Sequence, residues 1–326
     1  LKSEYPEVIK EFSLTQLQQM PKPHLVVDAI FGFGFKKELS GVFKEAVKAV
    51  NSLKVPVLAV DFPSGLIADT GQVGGLAVKA SKTVTFTTAK VGLKMLPGAM
   101  YAGEVVTAAI GINSSLVTEF CSVYTPEPQD ILQLLPKRAP DAHKGSCGRV
   151  LVIAGAQGFS GAAAMTAQAA LKLGAGLVVL GLPQSLNGLM ETKLTEVITW
   201  PLPETKEKTL AQAAAAAVVK RLPEFNCLVI GPGLTTNRET VFFVKEVLAA
   251  NENTPQLLDA DALNCLAETP EVLAQLKAPT VITPHPGELS RLLKVSVSQI
   301  QANRLYWAQE AFKRLQVVVL LKGAGT

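Results

Sequence analysis

The chain has 326 residues, longer than the roughly 100 to 200 of one typical domain, so two domains are expected. Hydrophobic residues make up 48% and charged residues 18%, a balance that lets an α/β chain bury much of its surface and argues against disorder. The net charge of +4 is spread thinly, without long runs of one sign, which sets nucleic acid aside as a partner and leaves anionic small molecules in play.

Short β-branched runs at 24–29, 55–60, 83–87 and 105–110 read as strands, with a helix over 43–53 between the first two. The pattern breaks over 114–143, where Pro126, Pro128, Pro136 and Pro140 interrupt one short apolar segment. That composition suits a linker or domain-entry strap. A second series follows, with strands at 149–154, 177–182, 226–230, 256–259, 280–283 and 317–321 and helices at 162–174, 209–222, 238–250 and 298–314. Strands separated by helices imply parallel sheets, which take ligands at the carboxyl ends of their strands. The domains are expected at 1–120 and 143–326, joined by a strap over 121–142.

Cys121, Cys147, Cys227 and Cys265 form no CxxC pair, so reduced thiols and a cytoplasmic setting are expected. His24, His143 and His285 lack metal-ligand spacing. Apolar stretches such as 25–35 and 211–219 are shorter than the ~18 residues a membrane-spanning helix needs, so no membrane is expected. The opening Leu1-Lys2-Ser3 has no methionine and no signal-like series, and the first residue is expected not to be a translational start.

Candidate chemistry gathers at strand ends. Asp28 closes the first strand and is followed by Gly32 and Gly34, either as an acid beside a ligand-approaching loop or as a helix cap. Asp61 closes the second strand in Asp61-Phe62-Pro63-Ser64-Gly65. Two strand-end carboxylates could share one site and serve as a proton acceptor or a hard-cation ligand. Farther on, Gly155-Ala156-Gln157-Gly158-Phe159-Ser160-Gly161-Ala162 either presents N–H groups to an anion or packs a helix closely on the sheet. It is not a Walker A loop, having no Gly-Lys-Ser/Thr. Gly231-Pro232-Gly233, Asp259-Ala260-Asp261 and Thr283-Pro284-His285-Pro286-Gly287-Glu288 end later strands. His285, held between two prolines, is expected to hydrogen-bond a ligand. Lys322-Gly323-Ala324-Gly325-Thr326 offers a point charge and N–H groups to a phosphate.

The segments 28–38 and 61–71, with Lys90-Val91-Gly92-Leu93 and Pro97-Gly98-Ala99-Met100, resemble the YjeF N-terminal domain family. The resemblance implies a Rossmann-like fold and epimerisation of R- and S-NADHX and NADPHX. It implies that Asp28 and Ser64 hold a potassium ion, that Gly32, Phe33, Gly34, Phe35, Lys36, Lys37 and Glu38 contact substrate phosphates, and that Asp61 is catalytic. The family's Asn-Gly-Gly-Asp-Gly loop, expected one βα unit before Asp28, is not in the sequence.

The set from His143-Lys144-Gly145 to Thr326 resembles the YjeF C-terminal family, which is ribokinase-like. That resemblance implies dehydration of S-NAD(P)HX with ADP or ATP, with magnesium. Ala162, Gly233 and His285 would line the hydrate site, and Lys322, Gly323, Ala324, Gly325 and Thr326 would hold the nucleotide. The family's Gly-Thr-Gly-Asp, whose Asp is the expected base, should lie beyond residue 326, so these residues alone are expected to be inactive as a dehydratase. The fold expected is thus α/β, a partial Rossmann-like domain followed by a ribokinase-like one. The rivals are another ribokinase-like small-molecule kinase, which leaves 28–103 unexplained, and a non-catalytic binding protein, since N-terminal relatives include apolipoprotein-binding proteins. A half sheet with an open strand edge also predicts a homo-oligomer.

Overall fold

A computed structural model describes residues 13, 15 and 19–326; the opening Leu1-Lys2-Ser3 lies outside them. The chain divides into two compact units, one up to Ile131 and the other from Leu132 to Ala324. Each holds a parallel sheet.

The first unit has four strands, β1 (Val26–Asp28), β2 (Val57–Val60), β3 (Lys82–Phe86) and β4 (Glu104–Ala108), in the order β1-β2-β3-β4. Register pairs Asp28 with Ala59 and Val60 with Val84, which brings the ends of β1, β2 and β3 side by side. Helix α1 (Gly41–Ser52) turns Ala46 and Val47 inward, where Val47 joins Leu39, Val57 and Val78 in one core cluster. Full burial of a valine stabilises by roughly 1.5–3 kcal/mol. Phe62 and Leu66, fully buried in a second cluster, anchor the turn after β2. Gly65 has φ +96, and a Cβ there would collide with the Leu76 carbonyl, so the turn requires glycine.

The second unit has seven strands: β5 (Arg149–Ile153), β6 (Leu177–Pro183), β7 (Ile198–Leu202), β8 (Cys227–Ile230), β9 (Gln256–Leu258), β10 (Thr280–Ile282) and β11 (Val318–Val319). Their order is β11-β10-β9-β8-β5-β6-β7. From β5 the chain winds outward through β6 and β7, then returns to β8 on the other side, so the winding direction reverses between β5 and β8. Such a reversal opens a crevice at the carboxyl ends of those strands. Helix α2 (Ser160–Lys172) follows β5 and buries Ala163, Ala164 and Ala167. Small side chains let it lie close, and Gly155, at the end of β5, brings its Cβ position within 3.0 Å of Ala163 Cβ. Helix α3 (Ala215–Arg221) precedes β8, and α4 (Arg238–Ala250), capped by Asn237 on the Glu239 N–H, follows it. Helices α5 (Asp261–Leu266), α6 (Pro286–Leu293), α7 (Val297–Ala302) and α8 (Arg304–Leu315) follow, and a short helix, Asn187–Lys193, lies between β6 and β7.

The expected elements shift in several places. β7 was not expected, because Pro201 interrupts its apolar pattern. It is an edge strand, where proline is tolerated since no ladder bond is lost on the open side. The helix expected over 298–314 is two helices: Asn303 leaves helical geometry at φ −151 and caps α8 by accepting from the Tyr306 N–H. The helix expected over 209–222 begins only at Ala215. Thr209 is instead held in a buried hydroxyl cluster with Thr205 at 2.9 Å and Thr240 at 3.0 Å, an alternative to helix that threonine readily takes. The last strand spans only Val318–Val319 rather than 317–321. The proline-rich stretch 114–143 contains two short helices, Ser114–Phe120 and Pro128–Leu134.

Candidate active sites

In the first unit the strand-end acids are both buried, Asp28 2% and Asp61 7% exposed, and each has a built set of partners. Asp28 does not cap a helix. Its Oδ1 accepts from Ser64 Oγ–H at 2.7 Å and its Oδ2 from the Ser64 N–H at 2.8 Å. Ser64 Oγ in turn accepts from the Phe31 N–H at 2.9 Å and lies 3.4 Å from the Phe31 carbonyl. The two residues tied to potassium by resemblance are therefore in direct contact, bridging the turn after β2 to the loop after β1.

Asp61 sits one residue past β2 with φ +64, a left-handed conformation that costs a non-glycine residue energy and that packing must enforce. Its Oδ1 accepts from Lys90 Nζ at 2.6 Å, from the Phe86 N–H at 3.2 Å and from Thr85 Oγ1 at 3.3 Å. Its Oδ2 accepts from the Phe33 N–H at 3.4 Å. Burial pushes the Asp61 carboxyl upward, but the hydrogen bond from Lys90, the Phe86 N–H, the lysine charge and the Phe33 N–H together hold it below the ordinary carboxylate value.

The glycine loop borders two cavities. One, of about 350 Å³, is lined by Gly32, Phe33, Gly34, Asp61 and Phe86 among others. The second, of about 550 Å³, is lined by Gly32, Gly34, Phe35, Lys36, Lys37 and Glu38 with Phe31 and Phe43. Phe31 stacks against Phe35 and Phe43 with centroids 5.0 and 4.9 Å apart, which fixes the loop from beneath, while Phe33 stands exposed. Lys36 reaches Asp69 at 3.6 Å, both largely in solvent, a pairing of little energetic weight. The structure thus brings Asp61 and the glycine loop together. Lys90, absent from the residues given a role by sequence, is the added member. Its signal was the Lys90-Val91-Gly92-Leu93 motif immediately past a strand end.

In the second unit, Ala162 and Gly233 meet where the winding reverses. A Cβ on Gly233 would lie 2.9 Å from Phe159 Cβ and 3.5 Å from Ala162 Cβ. Gly231, before it, has φ +130, and a Cβ would collide with the Asp259 carbonyl, so the β8 turn can be closed only by glycine. The loop over 155–161 uses its Gly155, Gln157 and Phe159 N–H groups on the carbonyls of Pro232, Lys208 and Ala156. Of the two readings of this loop, close packing is the one these bonds support. A cavity of about 700 Å³ opens beside it, lined by Phe159, Thr235, Asp261, Asn264, Cys265 and Arg291 among others. Burial, with the Asp261 charge, pushes the Cys265 thiol up to about 12, so it is neutral and unreactive.

His285 is the N-cap of α6. Its Nδ1 accepts from the Gly287 N–H at 2.9 Å and the Glu288 N–H at 3.4 Å, and its own N–H donates to Glu288 Oε2 at 2.7 Å. Half of its side chain is exposed and its Nε2 lies 3.3 Å from Glu288 Oε1. The capping box thus engages Nδ1, while the Nε2 edge of the ring is half exposed beside Glu288. Lys322, just past β11, donates to Asp259 Oδ1 at 2.5 Å and lies 3.9 Å from Glu288 Oε2. Its N–H donates to Pro284, and the Thr326 N–H donates to Gly323. Thr283 Oγ1 also donates to Asp259 Oδ1, at 2.9 Å. Asp259, Thr283 and Glu288 belong to separate strand-end motifs, and only the β9-β10-β11 neighbourhood brings Asp259 and Glu288 to Lys322 and Thr283 to Asp259.

Among the described residues no cluster of three or more His, Cys, Asp or Glu could hold a metal, and no helix is long and apolar enough to cross a membrane.

Compared with known proteins, residues 150–326 match the family described as NAD(P)H-hydrate dehydratase, and residues 3–92 match the YjeF-related protein N-terminus. A bifunctional NAD(P)H-hydrate repair enzyme Nnr from Moorella thermoacetica is 43% identical over 93% of this chain and 57% of its own length. The enzyme of the same name from Coxiella burnetii is 38% identical over 94% of this chain and 59% of its own. The chain thus spans little more than half the length of these relatives. In fold, a ribokinase-like superfamily protein from Enterococcus faecalis superposes with TM-score 0.51 at 23% identity, covering 62% of this chain and 68% of that one. The chain belongs to the NAD(P)H-hydrate dehydratase family and joins to that match a YjeF-related N-terminal segment.

Proposed function

We propose that this chain supplies residues to both steps of the repair of hydrated nicotinamide cofactors: epimerisation of R- and S-NAD(P)HX in the first unit, and ADP- or ATP-dependent dehydration of the S form in the second. The observation that carries the reading is the Asp61 carboxylate, ionised and aimed at a cavity walled by the glycine loop, within a chain similar to the repair enzymes over nearly its whole length. In a hydrate the hydroxyl-bearing carbon is also bonded to the ring nitrogen. A carboxylate that takes the hydroxyl proton lets the carbon–nitrogen bond open toward nitrogen, and reclosure on the other face with return of the proton gives the epimer.

Asp28, Ser64 and the Phe31 carbonyl are hard oxygen donors within 3.4 Å of one another along this network. That chemistry fits potassium, which would fix the loop and the substrate's oxygens. Gly32, Phe33, Gly34, Phe35, Lys36, Lys37 and Glu38 would take the phosphates.

In the second unit Ala162, Gly233 and His285 would line the hydrate site and Lys322 through Thr326 the nucleotide. Transfer of the terminal phosphoryl group to the hydrate's hydroxyl, with loss of that proton, makes a good leaving group. Loss of phosphate and a ring proton then restores the double bond. Lys322 would move its charge from Asp259 to a phosphate. Asp259 and Glu288 would then be the carboxylates at hand for the one or two that magnesium takes beside phosphates. A cytoplasmic setting, with four free cysteines, and a homo-oligomer complete the reading.

The test follows NADH absorbance from mixed R,S-NADHX with and without ADP and potassium, using this chain and a version extended through Gly-Thr-Gly-Asp. ADP-dependent formation of NADH is expected from the extended protein. Phosphorylation of a sugar or vitamin precursor, with NADHX untouched, would replace this reading with a small-molecule kinase.

A further inference from the structure

The two oxygens of Asp61 are treated differently. Oδ1 collects three donors, Lys90 Nζ, the Phe86 N–H and Thr85 Oγ1, whereas Oδ2 has one long bond from Phe33. Oδ2 is also the oxygen nearest Gly32, 3.3 Å from where a Cβ would stand, on the side of the cavity that Gly32, Phe33 and Asp61 share. Lys90 is equally committed. Its ammonium donates to Asp61 Oδ1, to Thr85 Oγ1 at 2.9 Å and to the Phe86 carbonyl at 2.9 Å, and three bonds exhaust its three protons. It also stands 5.6 Å from the centre of the Phe33 ring, so it touches the strand end and the glycine loop at once.

We infer that Lys90 is the positioning residue of the epimerase site: by saturating Oδ1 it leaves Oδ2 as the proton-accepting oxygen and turns that oxygen's lone pairs into the cavity. The inference rests on the epimerase reading for its substrate but not for its geometry. A lysine whose protons are all spent is not the acid that protonates substrate. Its work is done through Asp61 and, by the Phe33 contact, through the loop. Other charged groups on the surrounding elements lie elsewhere: Asp28 at the end of β1 with Ser64, Lys36 on the loop with Asp69, and Glu38 with its side chain beside Gly75. Lys37 faces the neighbouring cavity. Lys90 is the cation placed to govern Asp61 among the described residues.

The experiment has two arms on the full chain with Lys90→Met, Lys90→Arg and Lys90→Gln. In the first, carbon-detected NMR follows the Asp61 carboxyl through a pH titration, which needs no activity. It should titrate below the ordinary carboxylate range in the parent and in Lys90→Arg, and move up in Lys90→Met, where only the Phe86 and Phe33 N–H groups still oppose burial. In the second, R-to-S exchange of NADHX is timed. Lys90→Met should lose kcat by about 100-fold, the lower end of what a positioned proton acceptor contributes, with KM nearly unchanged, and Lys90→Arg should recover part of the loss. The acid limb of its kcat/KM profile should move up with the NMR value. If Lys90→Met does not fold, Lys90→Gln, which keeps a donor without the charge, should move the same readings in the same direction by a smaller amount. An Asp61 titration unaltered by loss of the lysine would overturn the inference whatever the activity. An altered titration with no exchange in the parent would overturn the epimerase reading alone.

Discussion

The two units place polar groups at the same topological location, the carboxyl ends of parallel strands, yet assemble them in opposite ways. In the first, Asp28 and Asp61 are buried and hydrogen-bonded to residues on the next turn or strand, so each carboxylate has its partners within the fold. In the second, the candidate residues are spread over the ends of β5, β8, β9, β10 and β11, and the central cation, Lys322, is held by the Asp259 carboxylate. On the proposed function, the first arrangement would serve a reaction in which one proton leaves and returns, and the second would serve one that receives and releases a nucleotide's charge.

This contrast can be broken experimentally, beginning with the scaffold. Gly231→Val forces a β-branched residue to φ +130 against the Asp259 carbonyl, and should destabilise the second unit by about 3 kcal/mol or more. A urea unfolding curve indistinguishable from the parent's would show that the crevice yields. Asp28→Ala leaves the buried Ser64 N–H without its acceptor and the hydroxyl with only the long contact to the Phe31 carbonyl. A loss of about 2 kcal/mol follows from the orphaned N–H and the weakened hydroxyl bond, and a smaller one in the presence of potassium would mean the ion replaces the carboxylate's role. Asp259→Asn loosens the grip on Lys322 and is expected to tighten magnesium-free ADP about threefold, since the lysine no longer has to be drawn from a carboxylate. Calorimetry reads the change, and weaker binding would mean that Asp259 orients the lysine rather than competing for it. The smallest effect concerns Cys265. With its thiol pushed up to about 12, it should stay unmodified by a disulfide reagent at pH 8 until the unit unfolds, whereas exposed thiols react at once.

The low-lying Asp61 also sets a direction with pH. Because its folded value is depressed, its stabilisation is fully present above the ordinary value of 3.8 and is lost as pH falls below that through the lowered one. Removing Lys90 should narrow this acid tolerance of the first unit.

The sequence by itself determined a good deal: two α/β parts, the β1 to β4 and β5 to β11 series apart from β7, and acids and glycines at strand ends. These are local signals, an apolar run with a period followed by residues that only a turn accepts, and they survive without knowledge of neighbours. Parallel order allowed Asp28 and Asp61, at successive strand ends, to be read as neighbours, whereas the link of Asp28 to Ser64 and of Asp61 to the site came from the family resemblance. What only the tertiary structure decided was which atom each group bonds. Pro201 hid β7 because edge position, not propensity, permits it. Asn303 broke a periodic helix because its side chain bonds Tyr306. His285 proved to be a cap, Lys322 proved to face Asp259 across 63 residues, and Lys90 proved to own one oxygen of Asp61 across 29. Hydrogen bonds act over about 3 Å in space with no preference for separation along the chain, so a residue type announces what it can donate or accept, and only the packed fold selects its partner.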